Sequence, residues 1–273
     1  MARVILDAGH YKKYNRSPVV PEYYESDFTW KFHLLLKAEL EKFGIEVGTT
    51  REDKDTDKGL TARGKMGKGY DLLISIHSDA ISDETIDRVT VIHMTPTGWE
   101  HEEASAEFAK MIAPVVSKVM ECPQNHKIKT KLGSDTNGDG EKDEYYGILR
   151  GADSVKCPAV IIEHSFHTNK RATLWRMDEK NLQALALIEA ETIAEFLGVD
   201  AEPEPDPTIE YAKGDVNGDG KVSAVDYMML KRTVDLTYEP TDGERARCDI
   251  NGDGKVDAAD AESLRRYILT GSW

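Results

Sequence analysis

Three short apolar runs along the chain each end in polar residues that can bind a metal or act beside one. The central run, Leu72–Ile76, is almost unbroken, which is typical of a strand buried on both faces of a sheet, and it leads into His77. Two other runs follow the same plan: Val4–Leu6 leads to His10, and Ala159–Ile162 leads to Glu163. Because ligands gather beyond the carboxyl ends of strands in open α/β sheets, we expect these polar side chains to meet at one edge of the sheet.

Segments with helical spacing alternate with the strand-like runs. A long helix is predicted after Glu25, with Ser26 or Asp27 as its N-cap, so that Glu25 lies on the loop just before it. Further helices are predicted at Leu60–Gly69, at Glu100–Glu121 with a kink at Pro114, and at Asp178–Leu197. Further strands are predicted at Ile45–Thr50, Arg88–Met94 and Tyr146–Arg150. This alternation predicts a three-layer α/β domain.

The strand predicted at Arg88–Met94 differs from the central ones because its apolar and polar residues alternate. Alternation is typical of a strand with one exposed face. We therefore expect a more exposed position for this strand and a surface position for its His93.

The bulk composition narrows the classes of partner. A chain of 273 residues has room for one large and one small domain, and its formal net charge of −15 argues against nucleic acid. No run of 18 apolar residues is present, so no membrane span is predicted. The N-terminus lacks the pattern of a signal peptide, and we expect that a start methionine has replaced a leader. Cys122, Cys157 and Cys248 form no zinc pattern but leave a Cys122–Cys157 bridge open.

The composition changes abruptly after Val199. Prolines at 203, 205 and 207 stand among acidic residues, which is typical of an extended, semi-rigid linker. Beyond it the chain repeats itself, because Asp215–Asp226 and Asp249–Asp260 have nearly the same sequence. We therefore expect a catalytic domain at 1–199, a linker at 200–212 and a repeat domain at 213–273.

Each repeat has the pattern of an EF-hand calcium loop, with side-chain oxygens at positions 1, 3, 5 and 12 and glycine at position 6. A pair of ordinary polar turns would not keep all four positions twice. The expected Ca²⁺ ligands are Asp215, Asn217, Asp219, Asp226 and the Lys221 carbonyl in one loop, and Asp249, Asn251, Asp253, Asp260 and the Lys255 carbonyl in the other.

The paired loops, each followed by a helix with a Leu-Lys/Arg-Arg triplet, resemble a dockerin module from Gly214 to Thr270. The resemblance implies a small α-helical domain that folds with calcium and binds a cohesin domain of a scaffold protein. The recognition positions of the family fall on Ala224, Val225, Lys231 and Arg232, or on Ala258, Ala259, Arg265 and Arg266. The near-symmetry of the two sets implies that either face could dock.

A third loop, Asp135–Glu144, resembles the other two less completely. Asp135, Asn137 and Asp139 occupy positions 1, 3 and 5, but position 12 is Tyr146, for which Asp143 or Glu144 would have to substitute. The loop is either a third calcium site or a solvated turn.

In the larger domain, His10, Glu25 and His77 form the kind of set that holds catalytic zinc, with one coordination position left for water. Zinc lowers the pKa of bound water, and Glu163 could take up its proton and return it to a leaving amine. His164 and His167 leave alternatives open: either could be a third ligand, could orient the substrate, or could be a rim residue.

The domain from Arg3 to Gly198 resembles the zinc-dependent N-acetylmuramoyl-L-alanine amidases of the Amidase_3 type. The matching segments are 5–10, Glu25, 50–55, 60–63, 72–79, 148–150 and 158–169. The resemblance implies a mixed sheet of about six strands between helices, one zinc on His10, Glu25 and His77, and Glu163 as catalytic acid/base. The chain departs from the family at Tyr11-Lys12, where Gly-Gly is usual, and at His164, where a small residue is usual.

The favoured interpretation is a secreted peptidoglycan hydrolase that cuts the amide between N-acetylmuramoyl and L-alanine and is anchored through its dockerin to a cohesin. A zinc carboxypeptidase acting on stem peptides is the alternative within enzymes, because Arg63 and Arg150 are available to grip a terminal carboxylate. A non-catalytic wall-binding module is the alternative of another class. That interpretation expects one of His10, Glu25, His77 or Glu163 to be lost, and all are present.

Overall fold

The computed structural model describes residues 1–136, 138, 140–199, 212–218, 220–236, 240 and 242–273. The chain divides into two compact units, Met1–Ala201 and Glu202–Trp273, and each is described by itself. Residues 200–211 of the expected linker lie outside the described residues, as do Asn137, Asp139 and Asp219 of the expected calcium loops.

The first unit contains a six-stranded sheet in the order β2-β1-β3-β6-β4-β5. The strands are β1 (Arg3–Ala8), β2 (Glu46–Thr49), β3 (Leu72–Asp79), β4 (Val89–His93), β5 (His126–Lys129) and β6 (Ala159–Phe166). The pairs β1–β2, β1–β3, β3–β6 and β4–β5 are parallel, whereas β4 runs antiparallel to β6. The predicted mixed sheet of six strands is therefore confirmed.

Helices cover both faces of this sheet and complete the three predicted layers. They are α1 (Glu25–Lys42), α2 (Leu60–Lys65), α3 (Glu100–Val119), α4 (Gly147–Asp153), α5 (Lys170–Met177) and α6 (Glu179–Phe196). Side chains of α1, α3 and α6 bury one face together with alternate strand residues such as Leu72, Ile74 and Ile76. Side chains of α4 bury the other face with Ile5, Leu73 and Ile161.

The strand predicted at Tyr146–Arg150 is wrong, because this segment forms the short helix α4 that packs on α2. Glycines allow the two helices to cross closely: a Cβ added at Gly151 would lie 2.3 Å from the Thr61 carbonyl oxygen, and one added at Gly64 would lie 2.1 Å from that of Ile148. The sixth strand is instead β5, whose polar sequence gave no strand signal.

The predicted exposure of the Arg88–Met94 segment is also wrong. Its strand, β4, lies inside the sheet between β6 and β5, and all of its residues are buried. His93 is buried rather than on the surface, and its Nδ1 lies 2.7 Å from the Met94 carbonyl oxygen.

Three smaller expectations have clear outcomes. Helix α1 begins at Glu25 with Tyr24 at its N-cap, because the Ser26 hydroxyl donates to the Lys12 carbonyl instead of capping the helix. All three cysteines are free, so the Cys122–Cys157 bridge is absent. None of the helices formed by the described residues combines the length and the apolar character that crossing a bilayer requires.

The second unit contains α7 (Ala224–Val234), α8 (Asp242–Cys248) and α9 (Ala258–Thr270). Helices α7 and α9 follow the two calcium-type loops as expected, and α8 is an addition that the repeat pattern did not indicate. The core of the unit is small and consists of Val216, Leu230, Cys248, Ile250, Ala261 and Leu264. So small a core leaves little hydrophobic stabilisation for the unit by itself.

A buried ion pair lies directly beneath the carboxyl end of β1. The Asp7 carboxylate accepts hydrogen bonds from Arg63 Nη1 at 2.9 Å, Thr50 Oγ1 at 2.5 Å and Ser75 Oγ at 2.6 Å. Burial alone would raise the pKa of Asp7, but the charge of Arg63 and the two hydroxyls outweigh it and lower that pKa. The carboxylate is therefore ionised and fully paired in the interior.

We expect Arg63→Met to lower the free energy of unfolding of the first unit by about 3–5 kcal/mol, because Asp7 then remains buried without its counter-charge. Denaturant unfolding followed by fluorescence measures this loss. The control is Lys65→Met, which removes an exposed cation from the same helix. Equal stabilities of the two variants would show that Arg63 does not pair with Asp7 in solution.

Candidate metal centre

The first candidate ligand is positioned by a glycine at the end of β1. The Gly9 N–H donates to the Ile76 carbonyl at 3.0 Å, and a Cβ on Gly9 would lie 2.4 Å from Cε1 of His77. No side chain therefore fits at position 9. His10 follows in the left-handed region with φ 59°, which turns the chain after β1.

Glu25 joins the two histidines. Its Oε2 lies 3.2 Å from His10 Nε2, and its Oε1 lies 3.0 Å from His77 Nδ1. The ligand atoms of the three residues all lie within 4.8 Å of one another. Glu25 is only 1% exposed, whereas the side chains of His10 and His77 are 26% and 16% exposed, so the cluster has a buried base and an open side.

Two residues that the sequence interpretation missed hold the Glu25 carboxylate in place. Asn15 Nδ2 donates to Oε2 at 2.6 Å, and the Ser78 N–H donates to Oε1 at 2.9 Å. Ser78 follows His77 directly, so its position could have been noticed. Asn15 belongs to the segment between His10 and Glu25, and no motif marked it. The ring of Tyr14, in the same segment, stacks on His10 at 4.9 Å.

Glu25 and the two histidines affect each other's charge. Burial would raise the pKa of Glu25, but hydrogen bonds to His10 and His77 outweigh it and hold that pKa well below its usual range. Burial would lower the pKa of His77, but the hydrogen bond and charge of Glu25 and the charge of Glu163 raise it to about 9. A divalent cation bound here would replace the proton on His77 as the positive charge beside Glu25. Two imidazoles and one carboxylate are a donor set that suits zinc.

Glu163 lies beside this cluster on the neighbouring strand. It pairs with His77 in the parallel register of β3 and β6, so both side chains project from the same face of the sheet. Its Oε2 is buried and has no hydrogen-bond partner among the described residues. Burial raises the pKa of Glu163 to about 8, with the charge of His77 opposing the shift and that of Glu25 adding to it.

His164 points away from the cluster. Between His77 and Asp79 on one strand and Glu163 and Phe166 on the other, the register shifts through a β-bulge, in which Ser165 has φ 62°. The His164 ring lies on the opposite face, with Nε2 2.8 Å from Glu189 Oε1 and its ring against those of Phe28 and Phe32. Both side chains of this contact are completely buried, which makes His164 a core residue.

His167 lies behind Glu25 rather than at the open side. Its Nδ1 is 2.9 Å from the Ser78 carbonyl oxygen and 4.0 Å from Glu25 Oε2, and the residue is 4% exposed. Its backbone carbonyl accepts a hydrogen bond from Ser17 at 2.6 Å. These contacts support the chain around Ser78 and leave no surface of the ring for a substrate.

A second group with metal-ligand character, His101, Glu102 and Asp153, is explained by local structure. Glu102 closes the capping box of α3 and accepts hydrogen bonds from Thr97. His101 Nε2 lies 2.7 Å from Asp153 Oδ1, which joins α3 to α4. Both carboxylates are therefore already engaged.

The two calcium-type loops of the second unit have matching hydrogen bonds. Asp215 accepts from the Gly220 N–H at 2.9 Å, and Asp249 accepts from the Gly254 N–H at 2.8 Å. At position 12, Asp226 and Asp260 are completely buried, and their Oδ1 atoms accept from the N–H of position 3 at 3.1 and 3.0 Å. Each of these aspartates also closes the capping box of its helix. The repeat in sequence is thus a repeat in structure.

The expected partner-binding positions lie mostly at the surface of the second unit. Val225 is 60% exposed, and Ala224, Arg232, Ala258, Ala259, Arg265 and Arg266 are also exposed. Lys231 is half-buried and pairs with Asp235.

Only part of the third loop is described. Asp135 accepts hydrogen bonds from the N–H groups of Gly138 and Gly140, as the first aspartates of the other loops do. Asp143 accepts from the Thr136 N–H, which folds it back over the loop, whereas Glu144 accepts from the Thr95 N–H. Calcium binding in this loop stays a prediction.

Comparisons with known proteins agree with this architecture. A family model described as N-acetylmuramoyl-L-alanine amidase (Amidase_3) matches residues 4–195, and one described as dockerin type I domain matches residues 213–269. No curated protein matches the chain in a sequence comparison.

Solved structures share the fold of the first unit. The catalytic domain of CwlV, an N-acetylmuramoyl-L-alanine amidase from Bacillus (Paenibacillus) polymyxa var. colistinus, matches with a TM-score of 0.59 and 20% identity over 73% of this chain and 100% of that chain. An N-acetylmuramoyl-L-alanine amidase from Clostridium difficile 630 matches with a TM-score of 0.60 and 20% identity over 73% and 98%. Cwp6 from Clostridium difficile matches with a TM-score of 0.60 and 21% identity over 72% and 29%.

We expect the full chain to bind one zinc ion tightly when calcium is in excess, and His77→Ala to weaken that binding by more than about 100-fold. Loss of a ligand should exceed the 10–100-fold cost of removing an outer partner. Competition with a chromophoric zinc chelator measures the affinity. His101→Ala, in the second histidine-carboxylate group, is the matched control and should bind as the wild type does. Zinc loss in the control alone would move the site to α3.

Proposed function

The chain belongs to the N-acetylmuramoyl-L-alanine amidase family Amidase_3, and we propose that it hydrolyses the amide bond between the muramoyl lactyl group and L-alanine in peptidoglycan. The observation that carries the proposal is the convergence of His10, Glu25 and His77 at one sheet edge, with the unpartnered carboxylate oxygen of Glu163 beside them. Such an arrangement combines a metal-ligand set with a separate proton acceptor.

His10, Glu25 and His77 would hold one zinc ion. When bound, zinc polarises the substrate carbonyl and makes a water molecule acidic enough to act as a nucleophile near neutral pH. The protein fixes the ligands beforehand: Asn15 and Ser78 hold both oxygens of Glu25, and Gly9 lets the end of β1 lie against the His77 ring. The open sides of the two histidines leave room for the substrate.

Glu163 would move the proton. Its carboxylate is buried and free of hydrogen bonds among the described residues, and its pKa is raised by burial toward the operating pH. A group in that condition can accept a proton from the attacking water and then donate it to the departing nitrogen. The second transfer is required because an amine leaves poorly unless it is protonated.

The carboxypeptidase alternative is weakened, because only one of the two arginines proposed to hold a substrate carboxylate is available for that role. Arg63 is buried and bound to Asp7, so it cannot hold a substrate carboxylate. Arg150 remains, and product analysis separates the two reactions because amidase and peptidase leave different new ends. A non-catalytic wall-binding module gives no reason for Glu163 to be placed beside a histidine-carboxylate cluster.

The C-terminal segment is a dockerin type I domain by its family match, and we propose that it binds two Ca²⁺ ions and anchors the enzyme to a cohesin domain of a scaffold protein. The matching hydrogen bonds of the two loops and the burial of Asp226 and Asp260 support the calcium sites. Peptidoglycan as substrate and a scaffold as partner place the enzyme outside the cell, at a cell wall or on a scaffold assembly.

We expect Glu163→Gln to lower turnover on purified peptidoglycan by about 10²–10⁴-fold while stoichiometric zinc is retained, because the glutamine can neither accept nor donate the proton. Mass analysis of the products should find new L-alanine N-termini with the wild type. The control is Glu46→Gln, the same change on the exposed edge strand β2, which should be fully active. Near-normal turnover by Glu163→Gln would assign proton transfer elsewhere, and new ends within the stem peptide would favour the carboxypeptidase.

We expect Asp260→Ala and Asp226→Ala each to remove one equivalent of bound Ca²⁺ from the zinc-loaded chain and to weaken cohesin binding. Each replaces a buried position-12 carboxylate, and in so small a unit the energy of metal binding is folding energy. Equilibrium dialysis and a cohesin binding assay measure the two effects. Asp57→Ala, which removes an exposed aspartate from the first unit, is the control. Unchanged calcium stoichiometry in the position-12 variants would contradict the assignment of the loops.

A further inference from the structure

A cavity of about 530 Å³ lies between helices α2 and α4 of the first unit. It is lined by the first turn of α2, by the residues that lead into α4, and by one cation: Gly59, Leu60, Thr61, Ala62, Tyr145, Tyr146, Gly147 and Arg150. The close crossing of the two helices at Gly64 and Gly151 fixes the distance between these walls. The cavity is therefore a property of the packed fold.

The cavity lies close to Glu163. Tyr146 packs against the apolar cluster that contains Ile161, and Glu163 is the next residue along the same face of β6. Burial raises the pKa of Tyr146, and the negative charges of Glu163 and Asp79 raise it further, which agrees with this proximity. A substrate held at Glu163 could therefore extend into the cavity.

Arg150 carries the positive charge of the cavity wall. Its Nη1 donates to the backbone carbonyl of Glu144 at 2.6 Å and lies 3.4 Å from that of Tyr145. Among the described residues, no carboxylate oxygen lies within 4.0 Å of its guanidinium, so the other N–H groups of Arg150 have no anionic partner. Arg63, the other arginine considered for carboxylate binding, is already paired with Asp7. Arg150 is thus held by its neighbours' backbone while its charge stays available.

We propose that this cavity receives the stem peptide on the leaving-amine side of the scissile bond, and that Arg150 recognises a free carboxylate of that peptide. The proposal rests on the amidase activity proposed above. A planar guanidinium matches a carboxylate with two parallel hydrogen bonds, whereas the uncharged glycan offers no group that needs a cation. Tyr145, which is 51% exposed, and Tyr146 supply an amphipathic wall for the peptide.

The test compares two soluble substrates, N-acetylmuramoyl-L-alanyl-D-glutamate and its diamide, which differ only in whether the dipeptide carries free carboxylates. We expect the wild type to favour the carboxylate substrate in kcat/KM by about 10- to 100-fold, the range that a charge-assisted hydrogen bond contributes. Arg150→Met should lose this preference, because its kcat/KM should fall much further on the carboxylate substrate than on the amide substrate. Arg150→Lys should retain part of the preference, because it keeps the charge but not the planar fork.

Control variants separate a loss of carboxylate recognition from general damage to the cavity wall. Arg245→Met, which removes an exposed arginine from α8, should behave as the wild type on both substrates. Equal losses on both substrates in Arg150→Met, or a wild type without preference, would overturn the proposal. Calorimetric binding of both compounds to zinc-loaded Glu163→Gln gives an answer independent of turnover. If the wild type hydrolysed neither compound, the proposed activity would fail, and binding without a carboxylate preference would still reject the role of Arg150.

Discussion

The structure of the first unit depends on buried charged groups that are paired with each other at the carboxyl end of β1. Asp7 is completely buried and is matched by Arg63, while Arg51 Nη2 donates to the Ala8 carbonyl at 2.8 Å. This carbonyl immediately precedes Gly9 and His10, so the paired charges also fix the start of the candidate metal centre. The same principle applies to Glu25, whose burial is offset by Asn15, Ser78 and two histidines. A buried charge is stable only when its partners are in place, and two of the partners of Glu25 are the candidate ligands His10 and His77.

The central strands and the candidate centre could be predicted because their signals are local. An unbroken apolar run such as Leu72–Ile76 has few other uses than a buried strand, and polar residues after it fall at a sheet edge. The Tyr146–Arg150 segment was assigned to the wrong element because its length and composition suit either a strand or a short helix. The close crossing of α4 with α2 decides between them, and that contact is between residues far apart in sequence.

Burial and side-chain support were the least predictable features. β4 alternates like a half-exposed strand, yet it is buried because β5 extends the sheet beyond it, and β5 itself has a polar sequence. Asn15 holds Glu25 from a loop whose path is set by tertiary contacts, so no pattern could mark it. In the dockerin domain the prediction went further, because each loop specifies its own turns and each position-12 aspartate completes the capping box of the helix that follows.

The β-bulge at Ser165 has a consequence for how this strand can change over evolution. Glu163 and His164 come just before the bulge, and the alternation of the strand places Glu163 beside the candidate metal centre and His164 among aromatic rings, so the two positions are under different constraints. The bulge allows three steps along β6 to match two along β3, so a deletion of one residue would remove it and shorten the path from Glu163 to His167 behind Glu25. Divergence in this strand should therefore proceed by replacement and almost never by a change of length.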